Sequence, residues 1–264
     1  MTQPGLNPAF DPALLSRIED AGLNASAPPQ QLWLDGWLVR FSPGKAKRAR
    51  CVNAVAAGRL PIGERLEACA SVFGDAGLPM IVRITPFTLP NTLDATLEAQ
   101  GLHRFDDTRV MVLGDLSAFD KPASLAANVD IHAVGLEAFA LRVGGLRGSP
   151  LSQRQAHGQR LRNSPVPFHA FEMHVESELV ACGQFAIEGA LVGLYDVFTA
   201  PAARGNGFAV ALCRHMLQQA HTRGAKHAYL QVEGDNHAAR TVYQRLGFVD
   251  GYAYHYRTPD PSAA

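Results

Sequence analysis

The chain has 264 residues, 47% hydrophobic and 18% charged, and its 24 basic and 24 acidic side chains cancel to a net charge of zero. With a pI of 7.2, it lacks the bulk electrostatic attraction that nucleic acid or an acidic membrane surface requires. Its four cysteines, Cys51, Cys69, Cys182 and Cys213, show no CxxC pair and no metal-ligand spacing, so free thiols and no metal are expected.

The N-terminus lacks the apolar run of a signal peptide, and no segment reaches the roughly 20 apolar residues of a membrane span. A cytoplasmic protein without membrane contact is expected. Leu14, Leu15 and Ile18 fall at helical spacing between Asp11 and Ala21, with Gly22 as a stop. Trp33 to Phe41 sets Asp35-Gly36 between aromatic-rich flanks, which predicts a hairpin. Lys45, Lys47, Arg48 and Arg50 cluster just beyond it. Nothing basic flanks them, so they read as a solvated hairpin loop rather than a phosphate or nucleic-acid site. A helix is predicted over Ile62 to Ala76, a strand over Pro79 to Thr85, a short helix around Leu93 and Leu97, and a strand over Arg109 to Leu113. Gly, Ser, Pro and Ala collect between Asp115 and Asn128 as in a linker.

Beyond it come a strand at Asp130 to Val134, helices at Gly135 to Leu146 and Ser152 to Arg162, and strands at Phe168 to Val175, Leu179 to Ile187 and Leu191 to Thr199. Pro201 breaks the last strand, and a helical pattern from Phe208 to about Gly224 follows Arg204-Gly205-Asn206-Gly207. Tyr229 to Val232 reads as a strand. Asn236 suits the N-cap of a helix with Ala239, Val242, Tyr243 and Leu246 on one face, and an aromatic strand carries Tyr252, Tyr254 and Tyr256. The order helix, strand, helix, Gly-apolar, strand occurs in both halves, which is an internal repeat. Two lobes are expected, residues 1–120 and 125–264.

Strand, glycine turn, helix is a phosphate-binding arrangement. The first N–H groups of a helix lack partners, the dipole there is positive, and glycine lets an anion come close. Two common motifs do not fit. Gly207 is followed by Phe208-Ala209 rather than Lys-Ser/Thr, and Val210 stands where a dinucleotide fingerprint needs its last glycine. A glycine turn that only packs is the competing reading.

Val197-Phe198-Thr199-Ala200-Pro201-Ala202-Ala203-Arg204-Gly205-Asn206-Gly207-Phe208-Ala209, followed by Asn236-x-x-Ala239-x-x-x-Tyr243-x-x-Leu246-Gly247-Phe248, resembles the acetyl-CoA signature of the GNAT superfamily of acyl-CoA N-acyltransferases. The resemblance covers Val129 to Arg257. It implies an α/β (α+β) fold of two tandem GNAT-like lobes, each a mixed, mostly antiparallel sheet flanked by helices. The N-terminal lobe is a degenerate copy, because it lacks both signature blocks, and the acetyl-CoA site belongs to the second lobe. By the same resemblance the strand Asp196 to Thr199, with Val197, Phe198 and Thr199, offers backbone groups to pantetheine, the backbone N–H groups of Gly205, Asn206, Gly207, Phe208 and Ala209 hold the pyrophosphate, and Arg204 is a further co-substrate residue. Asn236 and Ala239 lie near the co-substrate, and Tyr243 protonates the leaving thiolate. A core aromatic is the competing reading of Tyr243. Glu233, then Asp196, His174 and Glu172 are candidates for the general base. Arg142, Arg147, Arg154 and His157 are candidates to touch the acceptor, with solvated helix charges as the alternative. The function implied is acetyl transfer to a primary amine of a small molecule, amino acid or peptide, by a monomer or homodimer. A non-catalytic acyl-CoA-binding or interaction module is the alternative.

Overall fold

The computed structural model describes residues 5–42, 46–121 and 125–263. Helix α1 (Pro12–Ala25) starts where Asp11 accepts a 2.9 Å hydrogen bond from the Ala13 N–H, with Pro12 pre-set for the first turn. Strands β1 (Gln31–Leu34) and β2 (Trp37–Arg40) form the expected hairpin. Its Asp35 and Gly36 have φ of 42° and 82°, the positive pair that matches the twist of antiparallel strands. Strand β3 (Val52–Asn53), which the sequence pattern did not mark, is followed by α2 (Ile62–Asp75), β4 (Val82–Ile84), α3 (Leu93–Ala99) and β5 (His103–Leu113). The strand expected over Pro79 to Thr85 shrinks to three residues, and β5 starts six residues earlier than expected.

The second half runs β6 (Val129–Val134), α4 (Leu136–Leu146), α5 (Leu151–Arg162), β7 (Phe168–Val175), β8 (Glu178–Glu188), β9 (Leu191–Thr199), α6 (Phe208–Thr222), β10 (His227–Glu233), α7 (His237–Arg245) and β11 (Val249–Thr258). The bounds of β7 and β9 and the start of α6 fall where the alternation and the glycines put them. No helix among the described residues is long and apolar enough to cross a membrane. The four cysteines are free and buried.

All eleven strands join one mostly antiparallel sheet in the order β1-β2-β3-β4-β11-β5-β10-β9-β8-β7-β6. The last strand of each half is built into the other half. Among the described strands, β5 pairs with β10 and β11, and β11 with β4 and β5. On one face α6 buries Leu212, Cys213, Met216, Leu217 and Ala220 against Leu194, Leu230 and Phe185. On the other, Leu15 and Ile18 of α1 meet Tyr229, Tyr252, Tyr254 and Tyr256. The exchange thus sets tyrosines of β11 and polar residues of β5 beside β9 and β10.

One buried ion pair ties α1 beneath this junction. Arg83 of β4 donates to both carboxylate oxygens of Glu19, and the Tyr252 hydroxyl donates to Glu19 Oε2 at 2.7 Å. Burial alone would raise the Glu19 pKa, but the Arg83 charge and the hydrogen bonds outweigh it and hold the carboxyl below its ordinary value. Glu19→Ala leaves the Arg83 guanidinium buried without its counter-charge. It should cost about 3–5 kcal/mol, read as a lowered midpoint in urea unfolding. In the wild type this contribution is fully present above the unfolded pKa of a glutamate, about 4.3, and fades as the pH falls through the lower folded value.

Candidate active site

The site starts from a break in strand pairing. Parallel pairing of β9 with β10 runs from Leu191↔His227 to Leu194↔Leu230 and stops, although β9 continues to Thr199 and β10 to Glu233. On its other side β9 bulges against β8: the register goes from Cys182↔Phe198 to Gln184↔Tyr195, so Asp196 and Val197 both stand opposite Gly183. Asp196 adopts φ of 51°, which aspartate tolerates better than most residues. Gly183 allows the crowding, since a Cβ there would come within 2.9 Å of Met216 Cε and 3.4 Å of Val197 Cγ2. The bulge bends β9 away from β10. The β9 edge from Tyr195 to Thr199, carrying Val197, Phe198 and Thr199, is left without a strand partner on the β10 side.

The glycine turn lies at the end of that open edge. After a 3-10 turn at Pro201–Ala203, Gly205 and Gly207 take φ of 84° and 79°, which favours residues without Cβ. Gly207 is the N-cap of α6 and makes no side-chain capping bond. A Cβ built on either glycine meets nothing within 4 Å. The turn therefore presents its backbone to open space and is not packed under other protein. Asn206 Nδ2 donates to the Ala203 and Arg204 carbonyls at 3.2 and 3.3 Å, and Arg204 Nε to the Thr199 carbonyl at 3.4 Å. Those bonds tie the turn to β9. Phe208 and Ala209 open the helix half-buried, where N–H groups have no intrahelical partner.

The open edge leads into a cavity of about 470 Å³. Asn236, Ala239 and Tyr243 of α7 line it, with Glu233 at the end of β10 and Val197 of β9. Asn236 caps α7, as expected, by accepting from the Ala239 N–H at 3.1 Å. Tyr243 packs edge-on against Phe248, centroids 6.1 Å apart, and its hydroxyl has no protein partner among the described residues. Burial raises its pKa above the ordinary tyrosine value, Cys213 adds to the rise, and Arg147 opposes it. Glu233 is exposed at the rim, and its carboxylate takes no ion pair among the described residues.

Asp196 is arranged differently. Its carboxylate accepts from Arg147 Nη1 at 2.8 Å and Gln184 Nε2 at 2.7 Å, and His157 Nε2 lies 3.2 Å away without hydrogen-bond alignment. Burial alone would raise its pKa, yet His157 and Arg147 hold it well below the carboxylate range. A carboxylate so surrounded orients its donors and has little basicity.

Among the acceptor candidates only Arg147 lines the cavity. Arg154 Nε donates to the Ser149 carbonyl at 2.6 Å, bracing the α4–α5 turn. Arg142 Nη1 donates to Glu172 Oε2 at 2.6 Å. Glu172 and His174 do not line the cavity; they meet His132, and ligand atoms of the three lie within 4.8 Å of one another. The basic-loop reading needs correction. Lys47 pairs with Asp106 at 3.0 Å, Arg48 Nη1 donates to the Tyr254 hydroxyl at 3.2 Å, and both arginine and lysine line the cavity because β5 and β11 close it from the far side. Lys45 lies outside the described residues. Arg160 of α5, Gln184, Tyr195, Gln231 and Tyr254 are cavity residues that sequence reasoning missed. One signal did exist: α5 is polar all round, as suits a helix facing a wet cavity rather than the core.

Known structures share this architecture. A GCN5-related N-acetyltransferase from Kribbella flavida matches over 93% of this chain and 95% of its own, with a TM-score of 0.68 at 16% identity. A tandem GNAT protein from the clavulanic acid biosynthesis pathway matches over 77% and 72%, with a TM-score of 0.61 at 15% identity. Fold, bulge and glycine turn together give the chain the tandem GNAT fold of these structures. Within that class, the sequence profile described as "Probable histone acetyltransferase Rv0428c C-terminal" matches residues 14–257, and the chain belongs to that family. Among curated relatives, the "Uncharacterized N-acetyltransferase YobR" of Bacillus subtilis (strain 168) is 24% identical over 84% of this chain and 89% of its own length. A mycothiol acetyltransferase of Amycolatopsis mediterranei (strain U-32) is 39% identical over 33% of this chain and 27% of its own.

Proposed function

We propose that the protein transfers an acetyl group from acetyl-CoA to a primary amine by direct attack. The observation that carries this is the continuity of three features: an open glycine turn, an unpaired β9 edge, and a cavity with a free tyrosine hydroxyl at their junction. The diphosphate lies against the first N–H groups of α6. Pantetheine then takes the place of the missing strand pairing along Val197, Phe198 and Thr199. Its thioester reaches Tyr243, Asn236 and Ala239.

Glu233 is the cavity carboxylate free to take a proton from the incoming ammonium. The amine nitrogen then bonds to the carbonyl carbon, the C–S bond breaks, Tyr243 gives its proton to the departing sulfur, and the second proton shed by the nitrogen restores the Tyr243 hydroxyl. Holding both substrates in one cavity replaces a bimolecular encounter by a nearly unimolecular step. Asp196 acts indirectly, by holding Arg147 and His157. The products are an N-acetylated amine and free CoA.

The test measures acetyl-CoA binding by calorimetry and thiol release across a panel of small amines. Binding with amine-dependent thiol release supports the transferase. Binding with no release for any amine supports a CoA-binding module instead, and absence of binding refutes both.

A further inference from the structure

The charged side chains that line the cavity do not balance. Of its charged lining residues, Lys47 is paired with Asp106 and Arg147 with Asp196. Glu233 remains at the α7 end. On the side formed by α5 and the loop before β3, Arg48 and Arg160 are left over. Arg160 makes no hydrogen bond or ion pair among the described residues. Arg48 spends one nitrogen on a neutral tyrosine, and its Nε is buried without a partner. Burial holds the Arg160 pKa below its usual value, the Asp196 charge opposes that shift, and the Arg48 charge adds to it.

Two arginines that line one half-desolvated cavity without an ion pair are costly unless an anion joins them. Charged groups left unpaired in a cleft are candidates for a ligand site. The surrounding Tyr195, Gln231 and Tyr254 add neutral donors and apolar ring faces. The neighbouring carboxylate Asp196 is already engaged by Arg147 and Gln184.

We infer that the acceptor is an amine that also carries a carboxylate, held by Arg48 and Arg160 while its nitrogen points to Glu233. This rests on the acetyl-transfer reading above and adds the substrate class. Opposite charges at the two ends of the cavity would align a zwitterion with the nitrogen toward the thioester. A planar guanidinium suits a carboxylate. The cavity volume fits a small molecule better than a folded partner.

Product analogues test this without knowledge of the natural acceptor. CoA-loaded full-length protein is titrated calorimetrically with N-acetylglycine, N-acetylphenylalanine, N-acetylglutamate and N-acetyllysine, each beside its neutral C-terminal amide. At least one acid should bind about 30-fold more tightly than its amide, the scale of a charge-assisted hydrogen bond. Arg160→Gln, which removes no hydrogen bond or ion pair among the described residues, should cut that acid-over-amide ratio about tenfold, and Arg48→Gln should do the same. A ratio below about threefold for all four pairs in the wild type overturns the inference, as does a ratio unchanged by both substitutions. Should CoA itself fail to bind, the acetyl-transfer reading has failed, while the acid-over-amide ratio of the CoA-free protein still decides the question of the carboxylate.

Discussion

Replacing Tyr243 by phenylalanine is expected to lower turnover about 100-fold, the lower end of what a positioned general acid contributes, with acetyl-CoA affinity unchanged within about twofold. The ring that packs edge-on against Phe248 is kept by the substitution, and the hydroxyl it removes has no protein partner among the described residues. Unfolding should therefore shift by less than about 0.5 kcal/mol. The cost falls on the step in which sulfur leaves with developing negative charge. Because burial raises the phenol pKa above its ordinary value of about 10, the proton is present throughout the neutral range. Tyr243 should then cause no loss of turnover on the alkaline side below about pH 10. Stopped thiol-release assays across pH 6–10, on both proteins, check rate and profile together. Equal kcat for the two proteins removes Tyr243 from the chemistry and leaves it as a wall of the cavity.

The parts of this site that could be read in the chain are those made by near neighbours in sequence. The turn Arg204 to Gly207, the helix it opens and the Asn236 cap each depend on backbone conformations set within a few residues. The bulge at Asp196 depends on the register of β8 against β9, and the splay that follows depends on β10, more than 30 residues away. Periodicity within one strand does not carry that information. The exchange of β5 and β11 is still less local. The internal repeat implies two similar halves, but the repeat alone does not say which half a terminal strand joins.

That exchange explains the misjudged basic loop. Lys47 and Arg48 follow a surface hairpin in sequence, and a local reading leaves them in water. The crossing strands bring Asp106, Tyr254 and Tyr256 over them, so the loop becomes a cavity wall. Arg48 meets Tyr254 across 206 residues of chain. The N-terminal half thus does more than support the second. It supplies one side of the space in which an acceptor would sit.

The substitution Gly207→Val should reduce acetyl-CoA affinity at least about 100-fold, the loss expected when two charge-assisted backbone contacts of about 1.5–3 kcal/mol are blocked. Two effects act together. A β-branched residue is disfavoured at φ of 79°, and its side chain would fill the open space in front of the first turn of α6. Strain and occlusion separate through Gly207→Asn, because asparagine tolerates the left-handed region yet still projects a side chain into that space. If occlusion dominates, the Asn and Val variants lose affinity alike, and the Asn variant unfolds at nearly the wild-type urea concentration. If strain dominates, Asn keeps most of the affinity and Val alone loses it. The outcome that breaks the assignment is a folded Gly207→Val protein with wild-type affinity, since no diphosphate could then lie against that helix end.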